Sequence, residues 1–248
     1  MFARSLLPAL LLSMASASHA AEAQVAVAAN FAEPIKAIAA VLEKTTGHTL
    51  RVSLGPTGGL YTQIKNGAPF DVFLAADTQR PAMLEKEGLT QPGTRFTYAT
   101  GKLVLWSVKP GRVDVKGEVL KAADLGKVAF ANPKTAPYGA AAVQVMEELG
   151  LHAALQPKLV QGESIGQTFN FVKTGNADVG FVAMSQVLSG GRLKEGSMWA
   201  IPQDLYTAIQ QDVVVLKRGE NNEAAQALVE LLKSPNIKDL IRSYGYDL

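Results

Sequence analysis

Cysteine is absent from the 248 residues of this chain. Its absence excludes disulfide bonds, thiolate metal sites and cysteine nucleophiles. Without disulfides, the folded state must be held together by a hydrophobic core. Hydrophobic residues make up 48% of the sequence and charged residues only 19%, which is enough apolar material for one or two domains.

The chain also lacks an excess of charge of either sign, with 24 basic against 22 acidic residues. Nucleic acids and anionic membranes attract clustered basic surfaces, so neither is expected as a partner. No stretch reaches the roughly 20 apolar residues that span a bilayer. At the start of the chain, Arg4 precedes a short apolar run that ends in small residues at Ala20. This pattern predicts a cleavable signal peptide at residues 1–20 and an exported, periplasmic protein with no direct membrane insertion.

Histidine is scarce, and the three histidines are His19, His48 and His152. Their positions bear on the sequence GESIG at 162–166, which matches the G-x-S-x-G turn of α/β-hydrolases. In that fold the histidine base follows the serine along the chain, and no histidine follows Ser164. A serine hydrolase using Ser164 is therefore an alternative that the order of residues disfavours. We expect no catalytic residue and no directly coordinated metal cation.

Segments typical of strands alternate with segments typical of helices along the whole chain. Residues 24–29 suit a strand, residues 33–47 have apolar residues at helical spacing before a terminal glycine, and residues 49–54 suit a strand again. The alternation predicts an α/β protein with parallel-rich sheets and crossover helices. The chain has no long linker, which favours two lobes joined through strands. Ligands of such sheets bind beyond the carboxyl ends of the strands.

A faint internal similarity links the two halves of the chain. Thr57 precedes Asp71 by the same number of residues as Ser164 precedes Asp178. Each segment runs from a hydroxyl residue through a predicted helix to an Asp-Val pair that opens a strand. Duplication and chance both explain this similarity. If duplication is the cause, each lobe presents a hydroxyl at a helix N-terminus, and the two face each other across a cleft.

Four loops lie after a predicted strand or before a predicted helix, and they read AAN, GPTGG, APYG and ESIG (28–30, 55–59, 136–139 and 163–166). The first N–H groups of a helix lack partners and favour negative charge, so these loops are candidate anion sites. Thr57, Ser164, Asn30 and Tyr138 add neutral donors, although each also suits an ordinary cap or packing role. No Lys or Arg is among the candidate contacts.

A site that offers only neutral donors favours a fully deprotonated oxyanion, because it provides few acceptors for an acidic proton. Phosphate is partly protonated near neutral pH and would need a carboxylate acceptor. Sulfate, molybdate and tungstate would not. The size of the cavity would separate sulfate from the two larger anions, and the sequence does not define that size.

The chain resembles the molybdate-binding periplasmic proteins of ABC importers. The similarity extends over nearly all of residues 21–248, and the stretches that carry it are VAVAANF, SLGPTGGLYTQIKNGAPFDVFLAAD, RFTYATGKLVLWSVKPG, NPKTAPYGAAAVQVMEELGL, ESIGQTFNFVKTGNADVGFVA and SYGY. The resemblance implies a two-lobed type II periplasmic binding protein fold that closes around its ligand. It places lobe 1 at 21–101 plus 209–248 and lobe 2 at 102–208.

The resemblance also implies the ligand-binding residues, which are Ala29, Asn30, Thr57, Tyr138 and Ile165, with Gly58 and Ser164 as possible second contacts. Asn30, Thr57 and Tyr138 would donate from the side chain or the backbone, and Ile165 from its N–H. The family usually has a hydroxyl residue where this chain has Ala29. This difference bears on affinity or selectivity and leaves the fold unaffected.

The expected function is capture of molybdate, and also of tungstate, for a membrane permease. The expected protein is a monomer without a cofactor. Three alternatives stay open from the sequence: a binding protein for another tetrahedral oxyanion such as sulfate, a binding protein that acts as a sensor or adhesion factor, and the serine hydrolase.

Overall fold

A computed structural model describes residues 20–248. The predicted signal peptide at residues 1–20 lies, except for Ala20, outside the described residues. The strands are β1 Glu22–Ala28, β2 Thr49–Gly55, β3 Val72–Leu74, β4 Phe96–Gly101, β5 Leu103–Ser107, β6 Val128–Ala131, β7 Leu159–Gly162, β8 Val179–Ala183, β9 Leu188–Ser189, β10 Arg192–Leu193, β11 Ser197–Ala200 and β12 Ile209–Val215. The helices are α1 Ala32–Thr46, α2 Thr57–Lys65, α3 Gln79–Lys86, α4 Pro137–Glu148, α5 His152–Leu155, α6 Ile165–Lys173, α7 Met184–Val187, α8 Glu223–Lys233 and α9 Pro235–Ser243.

Helix α1 shows how the local pattern determines an element. Its apolar residues Ile35, Ile38 and Leu42 recur at helical spacing, and all three are buried against the first sheet. The helix ends where Gly47 adopts a left-handed conformation with φ of 76° and donates its N–H to the carbonyl of Glu43. Glycine accepts this conformation without steric cost, so the predicted glycine stop is found where it was expected.

Ten of the strands form two five-stranded sheets with the same topology, and β9 and β10 pair in a separate two-stranded sheet. The orders of the five-stranded sheets are β2-β1-β3-β12-β4 and β7-β6-β8-β5-β11. In each sheet the first three strands are parallel and the last two pairs are antiparallel. The predicted α/β fold with crossover helices is confirmed, although the sheets are more mixed than the sequence suggested. Strand β5 joins the second sheet directly after β4 of the first, and β12 joins the first sheet after the chain has passed through the second. Both strands run antiparallel to their neighbours.

The chain passes between the sheets twice. It leaves the first sheet at Gly101, enters the second at Leu103, and returns to the first at Ile209. We call the elements around the first sheet lobe 1 and those around the second lobe 2. The lobe boundaries predicted after residues 101 and 208 stay a prediction.

The hydrophobic cores of the lobes meet at the carboxyl ends of the parallel strands. Ala28, Ala29 and Ala76 of lobe 1 belong to the same buried cluster as Tyr138 and Ile165 of lobe 2. The lobes are therefore in contact at the edge where the sequence predicts a ligand site. Within residues 20–248, no helix combines the length and the apolar character needed to cross a membrane.

Candidate functional site

All five residues predicted to bind a ligand line one cavity between the lobes. Ala29, Asn30 and Thr57 line it from lobe 1, and Tyr138 and Ile165 line it from lobe 2. The remaining lining residues are Ala28, Gly55, Pro56, Ala76, Ala136 and Pro137. The cavity volume open to the centre of a water-sized sphere is about 10 Å³. A cavity needs roughly 10–15 Å³ by this measure to hold one water, so the lobes lie close together around the cavity.

Three helices begin at the cavity. Thr57 and Ile165 are the first residues of α2 and α6, and Tyr138 is the second residue of α4. The N–H groups at these positions have no acceptor within their own helix. Among residues 20–248, no other protein acceptor bonds to the N–H of Thr57, Tyr138 or Ile165. The partial positive ends of three helix dipoles therefore meet around one small space.

The hydroxyl of Thr57 is oriented by the neighbouring strand. Its Oγ1 accepts the backbone N–H of Ala76 at 3.0 Å, and Thr57 is only 1% exposed. Because the oxygen already accepts this bond, its own proton is free to donate to a second group. Thr57 is thus a helical residue with a hydroxyl donor at the cavity. The N-cap of α2 is Pro56, so the alternative that Thr57 is only an N-cap does not hold.

The amide nitrogen of Asn30 and the hydroxyl of Tyr138 belong to a buried network beside the cavity, whereas Asn30 Oδ1 has no partner among residues 20–248. The Nδ2 of Asn30 donates to Gln211 Oε1 at 2.8 Å and to the hydroxyl of Tyr246 at 2.9 Å. The hydroxyl of Tyr138 accepts a bond from Gln211 Nε2 at 3.1 Å. Burial raises the pKa of Tyr138 well above its usual value, so the phenol stays neutral.

The cavity has no charged side chain in its lining. Asp77, which follows the lining residue Ala76, forms an ion pair with Arg80. Within residues 20–248, no group of His, Cys, Asp and Glu side chains is arranged to hold a metal ion. A bound anion would therefore meet N–H and O–H dipoles.

The two possible second contacts are placed differently. The N–H of Gly58 donates to the carbonyl of Thr135 across the cleft at 2.8 Å, which removes it as a donor to a ligand. Ser164 is the N-cap of α6, where its Oγ accepts the N–H of Gln167 at 3.2 Å. Neither residue lines the cavity. Their roles are to bring the lobes together and to start a helix.

The histidines of the described chain do not support a hydrolase. His152 contacts Gln156 and Glu147 on its own side of lobe 2, and His48 accepts the backbone N–H of Ala21 in lobe 1. Neither histidine bonds to Ser164. His48 is only 7% exposed.

Sequence reasoning missed the network behind the cavity. Tyr246 was not among the candidate site residues, but its hydroxyl bonds to the carbonyl of Asn30 at 3.0 Å and to Ser185 at 3.0 Å. Gln211 and Ser185 were not singled out at all. One signal was available for Gln211, which is a polar residue at a buried position of strand β12.

Known proteins resemble this chain over most of its length. The family model described as a bacterial extracellular solute-binding protein matches residues 23–247. A molybdate-binding protein ModA of Azotobacter vinelandii is 60% identical over 95% of this chain and 93% of its own length. The one of Rhodobacter capsulatus is 54% identical over 96% and 93%. A solved periplasmic molybdate-binding protein of Azotobacter vinelandii matches with a TM-score of 0.88 and 40% identity, covering 91% of this chain and 99% of that one.

Proposed function

Since this chain belongs to the bacterial extracellular solute-binding family, and within it to the molybdate-binding proteins, we propose that it captures molybdate and delivers it to an ABC importer. The observation that carries the proposal is the charge-free cavity at which the starts of α2, α4 and α6 converge. We include tungstate as a second ligand, because an oxyanion of the same shape and charge meets the same donors.

The donors at the cavity favour an anion that carries no proton. The backbone N–H groups of Tyr138 and Ile165 and the hydroxyl of Thr57 all donate, and no carboxylate lines the cavity to accept a proton from the ligand. A partly protonated phosphate would leave its own O–H without a partner, which is costly in a buried site. Sulfate satisfies the same donors, so the size of the cavity must exclude it.

Binding is proposed to occur by closure of the two lobes. Bonds across the cleft hold them together around the cavity, including Gly58 N–H to the Thr135 carbonyl at 2.8 Å and Arg80 Nη2 to the Lys134 carbonyl at 3.0 Å. Opening of the cleft breaks these bonds and returns water to the anion. A permease that stabilises the open form therefore releases the ligand by shifting this equilibrium.

The chain is further proposed to act as a periplasmic monomer without enzymatic activity. A leader at residues 1–20 would export it, and the permease would be its protein partner. Ser164 serves this function as a helix cap and not as a nucleophile.

Calorimetric titration of the ligand-stripped protein, residues 21–248, tests the proposal with molybdate, tungstate, sulfate and phosphate in turn. Tight one-to-one binding of the first two alone supports it. Preferential sulfate binding would assign the site to another oxyanion, and the absence of binding by all four would refute the proposal. Hydrolysis of an ester substrate that Ser164→Ala abolishes would instead favour the hydrolase.

Transport is tested separately from binding. We expect deletion of the gene to abolish high-affinity uptake of labelled molybdate, and expression of the full chain to restore it. If the protein binds molybdate but uptake is unchanged by the deletion, the protein is a sensor or adhesion factor and the delivery role is wrong.

A further inference from the structure

Gln211 connects two cavity residues that belong to different lobes. It lies in β12 of lobe 1 and is completely buried. Its Oε1 accepts bonds from Asn30 Nδ2 at 2.8 Å and from the hydroxyl of Tyr98 at 3.1 Å. Its Nε2 donates to the hydroxyl of Tyr138 in lobe 2 at 3.1 Å. Gln211 itself does not line the cavity.

The bond between Gln211 and Tyr138 depends on a glycine at the passage between the lobes. Gly101 is the last residue of β4, and a Cβ at this position would overlap the Tyr138 hydroxyl and approach Gln211 Nε2. Gly101 does not have a positive φ, so its backbone conformation does not itself require glycine. The absence of a side chain is needed only because the two polar groups meet there.

We propose that Gln211 is the positioning residue that couples anion binding to lobe closure, by holding Asn30 and Tyr138 in register across the cleft. This inference rests on the proposed oxyanion-binding function. The amide is suited to the role because one end accepts two bonds from lobe 1 while the other donates to lobe 2. A carboxylate only accepts, and an apolar side chain does neither.

Two substitutions separate this role from simple packing. Gln211→Met keeps the length of the side chain but removes one acceptor of Asn30 Nδ2 and the donor to the Tyr138 hydroxyl, whereas the Tyr98 hydroxyl keeps the carbonyl of Ala75 as its acceptor. We expect molybdate affinity to fall about 10- to 100-fold. Gln211→Glu behaves differently with pH. Its protonated carboxyl accepts and donates as the amide does. The ionised form only accepts, so the Tyr138 hydroxyl would have to donate to it, and its negative charge repels the anion.

Burial raises the pKa of a carboxyl group to as much as about 8–9. Measurements between about pH 6 and 9 therefore cover the pH range in which the carboxyl introduced by Gln211→Glu is expected to ionise. The other ionisable groups beside Gln211 are the phenols of Tyr98, Tyr138 and Tyr246, whose pKa values burial raises. The carboxylates on the same side are Asp77 and Asp212, paired with Arg80 and Arg95. The introduced carboxyl is thus the group expected to titrate.

The decisive measurement is molybdate affinity against pH for the wild type, Gln211→Glu and the control Gln210→Glu, which adds the same charge at the exposed neighbouring residue. We expect affinity to recover at least tenfold as pH falls for Gln211→Glu alone. Wild-type affinity in Gln211→Met, or a flat profile in Gln211→Glu, would overturn the inference. A loss of affinity that only follows the melting temperature of the ligand-free variant would also overturn it.

Closure is measured by small-angle X-ray scattering with and without molybdate. We expect molybdate to reduce the radius of gyration of the wild type, and to reduce it less in Gln211→Met and Gly101→Ala, because both substitutions disturb the contact between Gln211 and Tyr138. If the wild type binds none of the anions, the proposed function fails. If the wild type binds molybdate and both variants contract as much as it does, the proposed function stands and the role of Gln211 in closure is refuted.

Discussion

The backbone N–H of Ile165 can be removed without breaking the helix that presents it. Ile165 is the first residue of α6, a position where proline is favoured because the N–H has no intrahelical partner. Ser164 before it is already extended, with φ of −137° and ψ of 164°, as a residue preceding proline must be. Ile165→Pro therefore deletes one proposed donor to the anion. The carbonyl of Ile165, which accepts from Gln186 Nε2 at 3.1 Å, is retained.

The expected loss of affinity follows from the type of bond removed. A hydrogen bond to a charged group contributes about 1.5–3 kcal/mol, and each 1.4 kcal/mol changes a dissociation constant tenfold. Ile165→Pro should therefore weaken molybdate binding by about 10- to 150-fold. Calorimetric titration measures this change, and far-UV circular dichroism verifies that α6 is intact.

Ile165→Val is the matched control, because it keeps the N–H and removes only part of a side chain that is 4% exposed. Its cost should be about 0.5–1.5 kcal/mol of unfolding free energy, with affinity close to that of the wild type. If Ile165→Pro binds molybdate as tightly as Ile165→Val does, the N–H of Ile165 is not a ligand donor. The reasoning from helix N-termini would then be refuted at this position.

Four further predictions concern the same cavity. Thr57→Val should weaken molybdate binding by about 10- to 150-fold, whereas the control Thr168→Val, which removes a buried hydroxyl outside the cavity, should lower the melting temperature with little effect on affinity. Ala29→Ser adds a hydroxyl donor to the lining of the cavity and should tighten binding about three- to tenfold, as measured by competitive titration. The affinity of the wild type should be constant between about pH 6 and 9, because the cavity lining has no charged side chain and the raised pKa of Tyr138 keeps its phenol protonated. The raised pKa of Tyr138 also makes the free energy of unfolding depend on pH. Its stabilising contribution is complete below about pH 10, the usual pKa of a tyrosine, and is lost as pH rises toward the folded-state pKa. Alkaline melting curves of the wild type and Tyr138→Phe would show this loss. A change in wild-type molybdate affinity of more than about threefold between about pH 6 and 9 would contradict the charge-free site.

Much of the fold follows from local patterns in the sequence. The apolar spacing and terminal glycine predicted α1 to within a residue of Ala32–Thr46. The helices predicted to start near Thr57 and Ser164 are α2 and α6, which begin at Thr57 and Ile165. Strands β4 and β11 were not predicted. Their burial alternates or is partial, so no continuous apolar run marks them.

The similarity between the two halves of the sequence corresponds to a similarity between the two sheets. Asp71 precedes β3 and pairs with Arg218, and Asp178 precedes β8 and pairs with Arg112. For Asp178, burial opposes ionisation, but bonds from Arg112, Gly126 and Lys109 outweigh it and lower the pKa. The equivalent sheet orders are what duplication predicts. The sequence spacing alone left chance as an equal explanation.

By itself, the sequence determined the chemistry that the cavity has available. The lack of cysteine is a property of the composition of the whole chain. The neutral donors of Thr57 and Tyr138 and the helix starts after strands are properties of short segments, and each is visible within a few residues. The network of Asn30, Gln211 and Tyr246 was decided only by the tertiary structure. Its partners lie as far as 216 residues apart in the chain, and a buried amide or phenol acquires its role from whichever donor the fold brings beside it.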